Sequence, residues 1–356
     1  MILRHGALGA WNTRRSDVAR HEGKSVAQRD PGEIRAILEH NVGFADPAAW
    51  VDYAASHGFR RVAATRVPRC PDCSGAAGRF WGQYVYYSTL IRLRQCNECG
   101  LIWADAHIDP EVVRRHFDHT YKGDEYFRKS RDAIFEHLAS TIQRLAPRGA
   151  RILDIGGARG DLMHKVVTGR PDVSATVHDL SAVATDWAAT HFGLRTLTGD
   201  ADALASHPEQ YDVVVLSDVL YYEPKLRVLF DALSHLIRPG GALVARLPNH
   251  LPMIRLGKLW GRVSQSDSRR RRQDHVAFFN PEHIFAFPTS YLHARFRSIG
   301  FSEVRTMPSP LLQGSVPRAA TALLFRLAAG VNRMTGRRLV LTPAMLVVGT
   351  HRGTGA

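Results

Sequence analysis

Two groups of residues in this chain have the types and spacing to do chemistry. The first is the run Arg151-Ile-Leu-Asp154-Ile-Gly156-Gly157-Ala-Arg-Gly160-Asp161-Leu162. It reads as a short apolar strand ending near a carboxylate, a glycine turn and the start of a helix. Such a run gathers backbone N–H groups, a helix N-terminus and one carboxylate around a single small pocket. A dinucleotide-binding turn would need G-x-G-x-x-G after the strand. Starting that pattern at Gly156 puts Ala158 and Asp161 on its second and third glycines, and starting it at Gly157 puts Arg159 on its second. Both registers fail, and Asp161 would stand near a pyrophosphate. An acid two places before the first glycine instead suits a cationic ligand. The plain alternative is a tight strand-to-helix turn that binds nothing. S-adenosylmethionine, with a sulfonium and an ammonium, has the charge such a pocket wants.

The second group is the cysteines. The chain has 4, arranged as Cys70-Pro-Asp-Cys73 and Cys96-Asn-Glu-Cys99, with 22 residues between the pairs. A two-residue gap turns both thiolates of a knuckle toward one ion, and two knuckles complete a tetrahedral site. Ser74-Gly75 and Gly100 allow the tight turns that aim backbone N–H groups at sulfur. Between the knuckles lie Phe80-Trp-Gly-Gln-Tyr-Val-Tyr-Tyr and Leu90-Ile-Arg-Leu-Arg, aromatic and strand-like. The expectation is a zinc ribbon. Disulfides would need an oxidising compartment, and a redox pair would need no second copy. With cysteine at all four positions, no coordination site is open to a catalytic water, so the zinc would be structural.

The elements that must hold these groups follow from the pattern of apolar residues. Residues 1–65 read as a mobile arm with short helices, 66–110 as the zinc ribbon and 111–149 as linking helices. Residues 150–356 read as a separate domain with a basic loop at 262–274 and a helical insert at 311–338. In that domain, strands are expected near 151–155, 174–178, 195–198, 212–217 and 242–247, with helices around 161–168, 181–192 and 225–236 between them. Such alternation indicates a mostly parallel sheet covered by helices on both faces. Two further strands are expected near 302–307 and 344–350.

In an open α/β sheet, ligands bind beyond the carboxyl ends of the strands. The first strand ends at Asp154 and the glycine turn. The second ends at Asp179, whose carboxylate can accept hydrogen bonds from two ribose hydroxyls, followed by Leu180, which can cover an adenine face. The third ends at Thr198-Gly199-Asp200-Ala201. The fourth, from Tyr211, is an unbroken apolar run ending in Ser217-Asp218, and Tyr221-Tyr222 follow. Each acid taken alone could be a helix N-cap. Four in this order at strand ends resemble the core of class I S-adenosylmethionine-dependent methyltransferases over about residues 150–310. The resemblance implies a Rossmann-like sheet of seven strands, the last antiparallel. It also implies a donor site made by Asp154, Gly156, Gly157, Gly160, Asp179, Leu180, Asp200, Ala201 and Ser217, with Asp200 and the next N–H reading the adenine edge. The chain departs from the family at Ala158, where a second glycine is common. The ribbon, with Cys96-Asn-Glu-Cys99-Gly100-Leu101, Asp109-Pro110 and the Tyr121 to Phe127 segment, resembles bacterial methyltransferases with an N-terminal zinc ribbon. Many of these act on sugars, glycan precursors or secondary metabolites.

For the acceptor, His275 in Gln273-Asp274-His275-Val-Ala-Phe-Phe279-Asn-Pro281 is the candidate base. It follows the fifth strand and carries a side chain suited to proton transfer near neutrality. A histidine bonded only to its neighbours is the alternative. Tyr222, Tyr221 and Asp218 are further candidates. The run Arg269 to Arg272 is either a solvated loop or a phosphate clamp. The insert, with Arg318, Arg326 and Arg333 among apolar residues, reads as packed on its own core, with a dimer contact or a membrane-surface helix as alternatives.

Composition bounds the rest. The chain has 356 residues, 45% hydrophobic and 22% charged, enough for a full core and two domains. No run reaches the roughly 18 apolar residues that span a bilayer, and residues 1–17 lack a secretory h-region, so a cytoplasmic location is expected. The net charge of +14 favours anionic partners or a solvated basic surface. The leading expectation is a methyltransferase acting on a small-molecule or glycan acceptor, phosphorylated acceptors included. The alternatives are an RNA methyltransferase that grips RNA with its ribbon and basic surface, and an inactive zinc-ribbon binding protein.

Overall fold

The computed structural model describes residues 64–86, 89–108, 131–252, 254–255, 279, 283–310, 318–336 and 339–350. The segments 1–63, Tyr121 to Phe127, the basic loop and His275 lie outside the described residues. The cysteine region contains β1 (Ala64–Arg66), β2 (Ala77–Tyr86), β3 (Thr89–Cys96), β4 (Ile102–Ala104) and β5 (Ala106–Ile108). Strands β2, β3 and β4 pair antiparallel in succession, and β1 pairs with β5.

After α1 (Asp132–Leu145) the βα alternation begins. It runs β6 (Arg151–Ile155), α2 (Asp161–Gly169), β7 (Ser174–Asp179), α3 (Ala182–Phe192), β8 (Arg195–Thr198), α4 (Ala201–Ala205), β9 (Tyr211–Ser217), α5 (Leu226–Leu236) and β10 (Ile237–Pro248). The chain finishes with β11 (Phe285–Ala286), α6 (Thr289–Ser298), β12 (Glu303–Pro308), α7 (Arg318–Met334) and β13 (Ala344–Thr350). Seven strands form one sheet in the order β12-β13-β10-β9-β6-β7-β8, and β13 alone runs antiparallel to its neighbours. This is the Rossmann-like methyltransferase architecture. Strands β6 and β9 are central and buried on both faces, which is why their sequences are continuous apolar runs rather than alternating ones. The chain order reverses between β6 and β9, and a topological switch point opens there.

Strand β10 begins earlier than the glycines suggest. Ile237 bridges Tyr211, the chain loops out through Pro239-Gly240-Gly241, and pairing resumes at Ala242. Helix α3 is capped by the Ser181 side chain, which accepts from Ala184 N–H, and is closed by Gly193 in a left-handed conformation.

The cysteine region is built into the large sheet's surroundings. Strand β11 pairs antiparallel with β4 through Phe285↔Trp103 and Ala286↔Ile102, so the sheet domain supplies an edge strand of the ribbon sheet. Ala104 N–H donates to the Ile284 carbonyl at 2.8 Å, and Ile284 N–H donates to the Tyr221 carbonyl at 2.9 Å. Trp103 is fully buried in a core shared with Tyr221, Phe285, Phe287 and Tyr291. Asp72, inside the first cysteine pair, accepts a hydrogen bond from Tyr291 Oη at 2.9 Å and pairs with Arg295 Nη2 at 3.1 Å. Arg227 of α5 donates to the Asp72 carbonyl and, at 3.1 Å, to Ser74 Oγ. Two helices of the large sheet therefore hold one knuckle. Replacing Asp72 with Ala removes a buried anion and strands Arg295 and Tyr291. We expect Asp72→Ala to cost about 3 kcal/mol and Tyr291→Phe about 1 kcal/mol, measured as shifts of the denaturant midpoint at constant slope.

Candidate functional site

The site forms at the carboxyl ends of β6, β7, β8 and β9. Asp154, one residue before the end of β6, is 1% exposed, and its Oδ1 has no hydrogen-bond partner. Burial, with a smaller contribution from the nearby Asp179 carboxylate, pushes its pKa up to about 8. The glycines beside it leave no room for side chains. A Cβ on Gly157 would stand 2.8 Å from Asp154 Oδ2, and one on Gly156, whose φ is +67°, would stand 2.3 Å from Val219 Cγ2. Gly160 caps α2 in a left-handed conformation. Ala158 takes φ +50° without the freedom of a glycine, so the position where the chain departs from the family pattern keeps the backbone that a glycine would favour.

Asp179 ends β7 and is 5% exposed. Its Oδ2 accepts from Ala158 N–H and its Oδ1 from Ser181 N–H, each at 2.9 Å. It thus ties the glycine loop to the start of α3. The next residue, Leu180, is 39% exposed. Asp200 caps α4, accepting from Asp202 and Ala203 N–H, and pairs with Lys225 Nζ at 2.6 Å. The Lys225 ammonium holds the Asp200 carboxyl below its ordinary range. Ala201 follows, buried, as the first residue of α4. Ser217 ends β9 with a buried Oγ that has no partner. Asp218, at φ +64°, forms an ion pair with the buried Arg246, which donates to Ser309 Oγ at 2.9 Å.

Beyond β9 and β10 lies an aromatic wall that the sequence did not disclose. Tyr221 packs on Tyr222 and His283, with centroids 4.5 and 4.0 Å apart. His250 Nε2 and His283 Nδ1 are 2.8 Å apart, and Phe279 packs on His250 at 4.8 Å. Burial pulls the His250 pKa down to about 3 and His283 well below its ordinary value. The sequence marks Tyr221 and Tyr222 but not the histidine pair, because His250 and His283 are brought together from positions 33 residues apart.

The four cysteine sulfurs lie within 4.8 Å of one another, with Cys70–Cys99 at 3.6 Å and Cys73–Cys96 at 3.4 Å. Cys70 is drawn down to about 5, chiefly by the Cys99 thiol and with help from the Cys73 and Asp72 N–H groups, against a raising effect of burial. Its partners shift the other way, Cys99 raised chiefly by the Cys70 thiol and Cys73 by burial, so the lowered value belongs to the cluster as a whole rather than to one ligand.

The predicted donor residues stand at the carboxyl ends of β6, β7, β8 and β9, with Asp179 bonded to the glycine turn that follows Asp154, while His275 lies outside the described residues. The buried orphans Asp154 Oδ1 and Ser217 Oγ, the exposed Leu180 and the side-chain-free cradle of Gly156 and Gly157 fit S-adenosylmethionine, whose ammonium would satisfy Asp154. A family model described as a methyltransferase domain matches residues 128–306. The chain is 23% identical over 210 residues to a malonyl-[acyl-carrier protein] O-methyltransferase of Methylococcus capsulatus, covering 58% of this chain and 70% of that protein. It is 30% identical over 108 residues to a ubiquinone biosynthesis O-methyltransferase of Xylella fastidiosa, covering 28% of this chain and 43% of that protein. It is also similar to the solved structure of a methyltransferase in complex with the Haloferax volcanii Trm112 methyltransferase activator. There the identity is 16% and the TM-score 0.46, with 66% of this chain and 96% of the other covered.

A buried acid with its pKa near 8 binds a cation only after losing its proton. Donor affinity is therefore expected to rise from pH 6 toward about pH 8 and to fall above it as the α-ammonium of the donor loses its own proton. Asp154→Asn removes the anion but keeps the shape. By calorimetry it should weaken S-adenosylmethionine binding at pH 8.5 by about 10- to 100-fold and flatten the pH dependence.

Proposed function

The chain belongs to the methyltransferase-domain family and is an S-adenosylmethionine-dependent methyltransferase, and from that premise we propose that its acceptor is a small molecule or glycan precursor. The observation that carries the donor side is the unpartnered, buried Asp154 carboxylate beside a glycine turn with no space for a Cβ. When bound, S-adenosylmethionine supplies an electrophilic methyl group on a sulfonium, open to direct displacement. Asp154 would hold the ammonium, and the backbone from Gly156 to Gly160 would line the amino-acid end. Asp179 at the end of β7 would meet the ribose hydroxyls, Leu180 would bring its exposed side chain to the adenine face, and Asp200-Ala201 would read the adenine edge. Ser217 Oγ would meet the methionine part.

Displacement of this kind asks for alignment and exclusion of water more than for strong acids. The wall of Tyr221, Tyr222, Phe279, His250 and His283 supports an acceptor of modest size held by aromatic contact. The two curated relatives carry O-methyltransferase names, which supports oxygen as the accepting atom. His275 stands four residues before Phe279 in the sequence. We assign it the role of proton acceptor, with Tyr222 as the group that orients the nucleophile. In a second reading the acceptor is RNA, which the ribbon's arginines over aromatic rings support, Arg94 over the partly exposed Phe80 and Arg79 over Trp81.

The four-cysteine cluster would hold a structural Zn2+. Tetrahedral Zn–S bonds of about 2.3 Å give S···S edges of about 3.8 Å, close to the separations found. One zinc per chain is expected by elemental analysis. Stripping it with a chelator should lower the unfolding midpoint, because the knuckle held by Arg227, Tyr291 and Arg295 loses its centre.

The discriminating experiment incubates the purified chain and labelled S-adenosylmethionine with nucleotide-sugar, lipid-linked glycan and RNA pools. Label in the first two supports the reading, and label only in RNA, with steep salt dependence, replaces it. With the acceptor in hand, His275→Ala should reduce the single-turnover rate about 100-fold or more while leaving donor affinity intact. An unchanged single-turnover rate would remove His275 from the chemistry.

A further inference from the structure

Helix α7 lies against β12 by one face and leaves another uncovered. The attached face is fixed by Asn332, 2% exposed, whose Nδ2 donates to the Leu339 carbonyl at 2.9 Å and the Thr306 carbonyl at 3.4 Å. Ala328 is buried beside it, and Phe325 meets His137 of α1 edge-on at 5.5 Å. Rotating the helix to hide its other face would break both amide bonds and leave a buried donor unpaired.

The uncovered face is apolar. Leu323 and Leu327 are 58% exposed, Leu324 56% and Met334 88%. At 100° per residue, Leu323, Leu327 and Met334 fall within a sector of about 40°, with Leu324 along its side. Leu339 and Leu341, in the segment that follows, are also exposed. Arg326 and Arg333, seven residues apart and both exposed, form a second row along the rim of this stripe.

The charge around the stripe selects its occupant. No Asp or Glu follows Glu303, and the remaining 53 residues hold seven arginines: Arg305, Arg318, Arg326, Arg333, Arg337, Arg338 and Arg352. A second copy docked by the same stripe would bring these like charges together. An anionic bilayer surface accepts both features, since leucines enter the acyl boundary while rim arginines extend to the phosphates. Among the described residues no helix is long and apolar enough to cross a membrane, so the contact would be peripheral.

We propose that α7 is a membrane-surface helix that seats this enzyme on an anionic bilayer by the Leu323, Leu327 and Met334 stripe and its flanking arginines. The inference does not depend on the acceptor or on the donor site.

The test is flotation of the full-length chain with vesicles of phosphatidylglycerol and phosphatidylethanolamine, and with phosphatidylcholine vesicles as the neutral arm. Wild type should float with the anionic vesicles and little with the neutral ones, and the binding should weaken with salt. Arg326→Gln with Arg333→Gln should lower the partition coefficient about 25-fold, about fivefold per arginine. Leu323→Gln with Leu327→Gln should abolish flotation. All four side chains are exposed, so an unchanged unfolding midpoint certifies each variant as folded. Folded variants that float as well as wild type, or a wild type that does not float, would overturn the proposal. So would a wild-type dimer in light scattering that the leucine variants dissociate, which would assign the stripe to a second copy.

Discussion

The arrangement depends on a carboxylate that the fold buries without compensating it. Asp154 sits at the switch point of the sheet, desolvated by β7, β9 and the glycine turn, with a second carboxylate, Asp179, nearby. The two acids are treated differently. Both Asp179 oxygens receive backbone N–H groups, so that its charge becomes part of the structure that shapes the loop. Asp154 Oδ1 receives nothing. A buried unpaired anion costs several kcal/mol, and the protein meets that cost by holding a proton there or by meeting a cation. The glycine turn makes the second solution available, because any Cβ at Gly157 would occupy the space beside the carboxylate. Paired acids whose surroundings set them apart mark a site where charge is managed for a ligand.

The ribbon depends on the sheet domain as much as the reverse. Its outer strand comes from residues 285–286, its Trp103 is buried against Phe285, and its first knuckle is gripped by α5 and α6. The same segment bonds the Tyr221 carbonyl through Ile284 N–H. Tyr221 belongs to the aromatic wall, so the position of the cysteine cluster is transmitted to that wall through two backbone hydrogen bonds and a shared core. A structural metal in this place would stabilise the acceptor side of the molecule, not only its own knuckles.

Most of the sheet was legible because its strands are continuous apolar runs bounded by turn residues. Tyr211–Ser217 and Ala344–Thr350 stand where the pattern puts them, and the glycine turn after β6 is unmistakable. The cysteine cluster was legible from its two equal gaps. What escaped was long-range. A two-residue strand such as Phe285–Ala286 has no periodicity, and its partner lies about 180 residues upstream, so only the packed structure pairs them. The start of β10 was missed because a single bridge at Ile237 precedes a looped-out turn. Asp200 shows the limit at the site: an acid at a strand end is compatible with ligand recognition and with capping, and its side chain here caps α4 and holds Lys225. The His250–His283 contact left no trace in the spacing of either residue.

That histidine pair bears on how the acceptor end can work. Desolvation keeps both imidazoles neutral at physiological pH, and their 2.8 Å contact satisfies a donor on one with an acceptor on the other. The wall these two rings line with Tyr221 and Phe279 is therefore uncharged on its histidine side. Proton transfer then falls to a group outside the buried pair, since a base whose pKa is pushed to about 3 takes a proton poorly near neutrality. Burial thus gives His250 and His283 a place in the wall rather than in proton transfer.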